Sequence, residues 1–292
     1  MRRADVTRRR FTLLVGMAGV APVAGAGPLT AESVVQRIQA RLGGDWPETG
    51  PDGFKAGDAA TAVKGIATTA MATLDVLKQA AKANANLILT YEPTFYSRAD
   101  GHGPGGFGAG DPVVQAKRQF IEKSGLVVFR LRDHWQARKE NEMVTGLASA
   151  LGWRAHRVNN KDAVYEIPPA SAEATVAAIR SRLNLRAGLR AAGDRKATVR
   201  RVLLFPGSMT PATMWQRYSE VDMIVAGEVR EWENTHYAAD MFTAGEKRAL
   251  VTIGRVVSEE PGMRACAEWL RTVVKEVPAK WIGVGDPYWR PA

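Results

Sequence analysis

The feature that most constrains this chain is a short apolar run, Leu87-Ile88-Leu89, that leads directly into a carboxylate. A run of this length is typical of a buried strand. Pro93 lacks a backbone N–H and cannot continue a strand interior, so the chain turns after Thr90-Tyr91-Glu92. Glu92 is therefore predicted just past the carboxyl end of a strand, where open α/β sheets usually keep their sites.

The same order of strand, polar turn and helix recurs along the chain. It is seen at Asp133, at Glu228 and at the segment from Arg255 to Glu259, as well as at Glu92. Strands that alternate with helices through both halves predict an α/β fold with largely parallel strands. If the strands lie in neighbouring sheets, these polar ends are predicted to converge.

Caps, apolar spacing and glycine content predict the connections. Thr30 is predicted to cap a first helix that runs to Leu42. Gly43–Asp58 is rich in Gly, Pro and Asp and is predicted to be a loop, and Arg186–Thr198 is predicted to be a basic connector. A long C-terminal helix is predicted over Pro261–Glu276.

The N-terminal segment, residues 1–26, has the regions of an export signal. Arg8-Arg9-Arg10-Phe11 precedes an apolar run through Val23, and Ala24-Gly25-Ala26 has the small residues of a cleavage site. The arginine pair before Phe resembles a twin-arginine signal, which exports folded proteins. The protein is therefore predicted to be exported, to the periplasm or another extracytoplasmic compartment. The alternative is an uncleaved basic membrane anchor.

Composition limits the partners. Removing residues 1–26 takes away five arginines and one aspartate, so the formal charge of the chain falls from +10 to about +6. This mild excess of positive charge is spread along the chain and does not form the basic patch of a nucleic-acid-binding protein. No nucleic-acid partner is therefore predicted. No stable membrane span is predicted after the signal is cleaved. Cys266 is the only cysteine in the sequence and is predicted to be a small core residue.

Three motifs together resemble a known family. They are the LILTYEP segment that ends at Pro93, the DMIVAGE segment that ends at Glu228, and the GRVVSE segment that ends at Glu259. In order and spacing they resemble the Ngg-interacting-factor-three-like family, also known as the type-two GTP cyclohydrolase-like or dinuclear metal centre hexameric family. The resemblance extends from about residue 60 to about residue 275.

The resemblance implies an architecture and a chemistry. It implies two αβ lobes that face each other across a cleft, lobe one at about 27–155 and lobe two at about 156–292. It implies a homo-oligomer, a ring of six copies, with two divalent ions of the Zn, Fe or Mn type in each cleft. It also implies a hydrolase-like activity, in which a carboxylate-held metal activates water.

The metal-binding motifs of the family are altered in this chain. The family's Thr-His-His-Pro places its two histidines on Tyr91 and Glu92. The family's Gly-His-x-x-Ser/Thr-Glu places its histidine on Arg255 and keeps its carboxylate as Glu259. The resemblance therefore predicts that Glu92 and Glu259 are site carboxylates, and it places Tyr91 and Arg255 beside them.

The second metal motif of the family, His-Thr-x-x-Asp, is altered as well. Its histidine falls on Arg132 and its aspartate on Gln136, with Asp133 and His134 between them. Asp133 and His134 are the residues of this segment that can still bind a metal ion. Arg132 and Gln136 are predicted to line the cleft.

Two interpretations of the site follow. Arginine keeps its proton and has no lone pair, so neither Arg132 nor Arg255 can be a metal ligand. In the first interpretation one divalent ion is held and the protein is a metal-dependent hydrolase; the predicted ligands are Glu92, Asp133, His134 and Glu259. In the second, guanidinium groups replace the metal ions by pairing with the carboxylates, and the protein is a non-catalytic scaffold or binds a small anion. The further cleft candidates are Tyr91, Arg98, Arg132, Gln136, Glu228 and Arg255.

Overall fold

The computed structural model describes residues 27–98, 100, 110–159, 163–185 and 188–289, so the predicted export signal lies outside them. The predicted alternation of helices and strands is confirmed. The α-helices are Ala31–Leu42 (α1), Leu74–Lys82 (α2), Pro112–Lys123 (α3), Asp133–Gln136 (α4), Glu142–Ala150 (α5), Ala172–Arg182 (α6), Pro211–Tyr218 (α7), His236–Thr243 (α8) and Arg255–Val273 (α9). A 3-10 turn, Arg154–His156, and a π-helical segment, Glu231–Thr235, complete the helical elements of the described residues.

The strands form two five-stranded sheets. They are Gly53–Ala56 (β1), Ile66–Thr69 (β2), Leu87–Thr90 (β3), Val127–Arg130 (β4), Val164–Ser171 (β5), Arg190–Gly193 (β6), Thr198–Met209 (β7), Met223–Val229 (β8), Ala249–Thr252 (β9) and Ala279–Trp281 (β10). The first sheet has the order β1-β4-β3-β2-β10 and the second the order β5-β7-β8-β9-β6.

In the first sheet β4, β3, β2 and β10 are parallel, and β1 pairs antiparallel with β4. Leu87 and Leu89 pack on one face with α1 and α9, whereas Ile88 packs on the other face with α2 and α3. Because successive side chains of a strand point to opposite faces, a sheet covered by helices on both sides needs an uninterrupted apolar run. This accounts for the LIL segment.

The second sheet has the same layout. Its central strands β7, β8 and β9 are parallel, and its edge strands β5 and β6 are antiparallel to their neighbours. The pairing of β7 with β8 is irregular between Phe205 and Ser208, at the Pro206-Gly207 step, where Gly207 has a φ of 85°. The irregularity bends the end of β7 at the edge of the cleft between the two sheets.

Helix α9 connects the two sheets. Its middle packs into the core of the first sheet through Met263, Cys266 and Leu270, and Thr68 Oγ1 of β2 donates a hydrogen bond to Met263 O at 2.7 Å. Cys266 is fully buried, as predicted for a core residue. The first turn of α9 lies against the ends of β7 and β8 in the second sheet. Residues at the start of α9 are thereby placed between the two lobes.

The C-terminal helix begins earlier than predicted, at Arg255 instead of Pro261. Proline lacks the N–H that a helix interior uses, which is why the sequence favours a start at Pro261. The backbones of α5 and α9 approach closely beside it: a Cβ atom on Gly146 would lie 2.8 Å from Gly262 N. This tertiary packing overrides the local preference, and the earlier start places Arg255 and Glu259 on one helix.

Three short strands were not predicted. β1 lies inside the predicted loop Gly43–Asp58, and β6 lies inside the predicted connector Arg186–Thr198. β10 follows the last helix and pairs with β2, so the C-terminal end of the chain returns to the first sheet. The division into lobes at about residue 155 stays a prediction, and the sheets follow it except at β10. No helix of the described residues is long and apolar enough to cross a membrane.

Candidate functional site

A guanidinium group lies at the centre of the predicted metal site. Arg255 Nη2 donates to Glu92 Oε1 at 2.8 Å, and Arg255 Nε is 3.2 Å from the same oxygen. Arg255 Nη1 donates to Glu228 Oε1 at 3.0 Å, and Nε lies 3.6 Å from Glu259 Oε1. We call Arg255, Glu92, Glu228 and Glu259 the Arg255 cluster. It joins the end of β3 in the first sheet to the end of β8 in the second.

The start of α9 positions two members of this cluster. Gly254 has a φ of 97° and donates its N–H to Gly227 O at 2.9 Å, which ends β9 beside β8 and directs the chain into the helix. Arg255 and Glu259 are then four residues apart on α9, so their side chains lie on the same helical face.

Glycines at the strand ends allow this helix to sit close to the second sheet. Ser258 Oγ accepts a hydrogen bond from Gly207 N at 2.9 Å. A Cβ atom on Gly227 would lie 2.4 Å from both Gly207 O and Ser258 Oγ. A Cβ on Gly207 would lie 3.0 Å from Glu259 Oε1. Glu259 can therefore lie here only because Gly207 and Gly227 have no side chains.

The carboxylates of the cluster differ in exposure. Glu259 is 1 % exposed and Glu92 is 7 % exposed, whereas the Glu228 side chain is 47 % exposed. Burial, and then the negative charge of Glu92, raise the pKa of Glu259, while Arg255 acts in the opposite direction. Burial alone lowers the pKa of Arg255, but Glu92 and Glu259 outweigh it and the net direction is upward. Arg255 therefore stays charged and supplies the counter-charge of Glu92, whereas the raised pKa of Glu259 favours its protonated form.

Tyr91, in the position of the first family histidine, is a buried phenol. Its hydroxyl donates to Gln136 Oε1 at 2.8 Å, and the Arg132 guanidinium lies 5.5 Å from the centre of its ring. Burial raises the pKa of Tyr91, and the charge of Arg132 offsets part of this effect. Tyr91, Arg132 and Gln136 are brought together by a hydrogen bond and a cation–π contact.

The structure does not bring Asp133 and His134 to Glu92 and Glu259. His134 Nδ1 lies 2.7 Å from Asp52 Oδ2, and its Nε2 lies 2.9 Å from the Asp45 carbonyl oxygen. The His134 ring also stacks on Trp46, with the ring centres 3.5 Å apart and an interplanar angle of 7°. Asp133 and His134 thus face a separate pocket of about 400 Å³, next to α1 and β1.

Asp52 is the residue that sequence reasoning missed. Its carboxylate accepts the backbone N–H groups of Asp133 at 3.1 Å and His134 at 2.9 Å, and that of Arg132 as well. It is therefore the acceptor for the start of α4, which has no side-chain cap of its own. We call Asp52, Trp46, His134 and the backbone of residues 132–134 the Asp52 cluster. The sequence signal was weak, because Asp52 lies in a glycine- and proline-rich segment far from its partners.

Other cleft candidates line a large cavity. This cavity, of about 970 Å³, runs between the two sheets. Arg98 and Arg132 line it, together with Tyr91, Glu92 and Arg255. Of the described residues, five arginines and two carboxylates line the cavity, so its charge is positive.

The residues of the cleft do not fit a two-metal centre. Among the described residues, no group of three or more His, Cys, Asp and Glu side chains is placed to hold a metal ion. The two buried carboxylates of the cleft, Glu92 and Glu259, already contact Arg255. A guanidinium offers no lone pair, so Arg255 cannot coordinate a metal ion as an imidazole ligand does.

The architecture is similar to several solved structures. The protein ybgI, of unknown function, matches with a TM-score of 0.71 and 19% identity over 89% of this chain and 100% of its own. Staphylococcus aureus SA1388 matches with a TM-score of 0.70 and 15% identity over 90% of this chain and 100% of its own. A Bacillus cereus protein related to NIF3 matches with a TM-score of 0.68 and 11% identity over 91% of this chain and 100% of its own.

These similarities confirm the predicted resemblance at the level of the fold. The chain has the two-lobed α/β fold of the NIF3-related proteins. Identities below 20% do not carry the chemistry of a site from one chain to another. No protein-family profile matches the chain, and no curated protein sequence matches it.

Proposed function

We propose that this protein is a metal-independent relative of the dinuclear-centre proteins, in which Arg255 replaces the metal ions and the cleft binds an anion. The observation that carries the proposal is the contact of one guanidinium with Glu92, Glu228 and Glu259. A cation built into the chain supplies the counter-charge of the buried carboxylates without an exchangeable ion. The substitution of the family histidines at Tyr91, Glu92, Arg132 and Arg255 supports the same interpretation.

Metal analysis of protein purified without chelators tests the proposal. We expect the wild-type protein to contain far less than one zinc, iron or manganese ion per chain, and to take up none on titration. A double variant, Tyr91→His with Arg255→His, restores two imidazoles beside Glu92 and Glu259 and is expected to gain zinc affinity. Arg154→His is the matched control, because Arg154 is exposed and outside the cleft. One tightly held metal ion per wild-type chain overturns the proposal.

Export and self-association are part of the proposal. Export is supported by the twin-arginine pattern in residues 1–26. A homo-oligomer is supported by the resemblance to a hexameric family. Cell fractionation of the full-length protein and of an Arg8→Lys, Arg9→Lys variant tests export, and light scattering of the purified mature chain measures its mass. A wild-type protein retained in the cytoplasm overturns the proposal of export. A monomeric mass overturns the proposal of a homo-oligomer.

A further inference from the structure

We infer that the cleft recognises an organic anion, through a wall of hydrogen-bond donors formed by Arg132, Gln136 and Asn141, beside the Arg255 cluster and not on it. The inference rests on the proposed function, because it takes the cleft to contain no metal ion. The ligand class is a carboxylate or phosphate group attached to an apolar body.

The polar wall presents donors because its acceptor atoms are already used. Gln136 Oε1 accepts from the Tyr91 hydroxyl at 2.8 Å, and Asn141 Oδ1 accepts from Met143 N at 3.0 Å. These bonds fix the orientation of each amide, so Gln136 Nε2 and Asn141 Nδ2 remain as donors. Gln136 and Asn141 both line the cavity. Donors of this kind meet the oxygen atoms of an anion.

Arg132 supplies the positive charge of this wall. Its Nε is buried and has no hydrogen-bond partner among the described residues, and its Nη1 contacts the half-exposed Asp133 only at 3.6 Å. Asp52 fixes the backbone of Arg132. The Arg132 side chain is 34 % exposed, so an anion in the cavity can pair with this weakly neutralised guanidinium.

The arginines of the cavity differ in how fully they are neutralised. Arg255 is paired within its cluster, and Arg130 lies 3.6 Å from the buried Asp100 and donates to two carbonyl oxygens. Arg217 pairs with Glu220 at 2.9 Å. Arg98, the fifth arginine of the cavity, is exposed to solvent, so Arg132 is the least neutralised of the cavity arginines that are at least partly buried, and this places the anionic group of the ligand near α4.

Part of the lining of the cavity is apolar. It includes Leu203, Leu204 and Phe205 from β7 and Val256 from α9, and the cavity holds about 970 Å³. A cavity of this size and lining suits an organic molecule better than a lone inorganic ion. The donors and this apolar lining together define the ligand class.

Isothermal titration with four small probes tests the inference. Benzoate and phenyl phosphate carry the two anionic groups on the same apolar ring, benzamide is the neutral control, and inorganic phosphate lacks the apolar body. We expect benzoate or phenyl phosphate to bind, benzamide to bind at least about tenfold more weakly, and inorganic phosphate to bind more weakly than phenyl phosphate. A preference between the first two identifies the anionic group as carboxylate or phosphate.

Three variants locate the site. Arg132→Met keeps the apolar stem and is expected to weaken binding about tenfold to a hundredfold. Gln136→Glu and Asn141→Asp keep the acceptor oxygen that Tyr91 or Met143 uses but replace the donor by a second oxygen, so each is expected to weaken binding. Asn141→Asp is the most stringent of these, because aspartate is as good a helix cap as asparagine and folding is preserved. Arg154→Met is the matched control and is expected to bind like the wild type.

The outcomes separate this inference from the proposed function. No binding of benzoate or phenyl phosphate to protein shown to be metal-free overturns the inference and leaves the role of Arg255 intact. Equal binding of benzamide, or unchanged affinity in all three variants, overturns it as well. Binding that requires a metal ion, abolished by a chelator and restored by zinc, overturns the proposed function itself.

Discussion

The Arg255 cluster and the Asp52 cluster lie at the ends of neighbouring strands, β3 and β4, but they have different structural roles. The Arg255 cluster joins Glu92 of the first lobe to residues of the second across the cleft. The Asp52 cluster stays within the first lobe, where one carboxylate holds the start of α4. The family resemblance assigned both segments to one metal site. The structure shows two separate charge networks, one of which connects the lobes and one of which stabilises a turn.

The two clusters show two ways in which this chain stabilises a buried carboxylate. At each strand end a buried carboxylate has a partner from the chain itself: Arg255 for Glu92, and backbone N–H groups with His134 for Asp52. Burying a charge is costly unless it is paired and hydrogen-bonded. These partners supply the charge and the hydrogen bonds that the burial of each carboxylate requires.

The largest effect on stability is expected from Asp52→Ala. This substitution leaves the backbone N–H groups of residues 132–134 without their acceptor and removes the partner of His134. We expect the free energy of unfolding to fall by about 3 kcal/mol, since each unsatisfied buried group costs about 1–3 kcal/mol and part of the site is hydrated. Urea unfolding measures it. Asp45→Ala is the control, because Asp45 contacts His134 through its carbonyl only; equal stability of the two variants contradicts the role of Asp52.

A smaller loss is expected from Arg255→Met. The change leaves the buried Glu92 without its counter-charge, but the Arg255 side chain is 33 % exposed and water screens part of the loss. We expect a decrease of about 2 kcal/mol in the free energy of unfolding. Arg37→Met breaks an exposed pair with Glu276 and serves as the control, with an expected loss below about 0.5 kcal/mol. If the two variants lose the same amount, the Arg255 cluster is no more than a surface ion pair.

The smallest effect is expected from Glu259→Gln. It is a change in how the free energy of unfolding varies with pH. The pKa of Glu259 is raised in the folded protein, so the folded state binds more protons than the unfolded state above about pH 4.5, the ordinary value. Wild-type stability therefore includes a contribution that is present below that pH and is lost as the pH rises. The glutamine variant lacks this loss, so the stability difference, variant minus wild type, is expected to increase with pH. Denaturant unfolding at several pH values measures it, and a flat or falling difference contradicts the burial of a protonatable Glu259.

Much of the fold was accessible from sequence because it depends on local patterns. The apolar run Leu87–Leu89, the cap at Thr30 and the turn at Pro93 are each set by neighbouring residues, and the structure confirms them. The strands β1, β6 and β10 were missed because each is only three or four residues long and is stabilised by distant partners. Such pairing leaves little trace in local composition.

Only part of the site could be predicted from the sequence, for the same reason. Glu92, Arg255 and Glu259 could be placed together because a motif with fixed spacing marks each of them. Asp52 could not, since it meets Arg132 over a separation of 80 residues and no motif marks it. The separation of Asp133 and His134 from Glu92 follows from that one contact. Motifs in the sequence locate the ends of the strands. They do not reveal that Asp52 holds the segment after β4 away from Glu92.

A double-mutant cycle between Arg255→Met and Glu92→Gln tests most directly the claim that a guanidinium replaces the metal ions. Unfolding free energies of the wild type, the two single variants and the double variant are measured in chelator and again in excess zinc. If the guanidinium takes the place of the metal ions, we expect a coupling of about 1–2 kcal/mol between Arg255 and Glu92, the same in both conditions. A coupling near zero contradicts it, and so does a wild-type protein that loses stability in chelator and regains it with zinc.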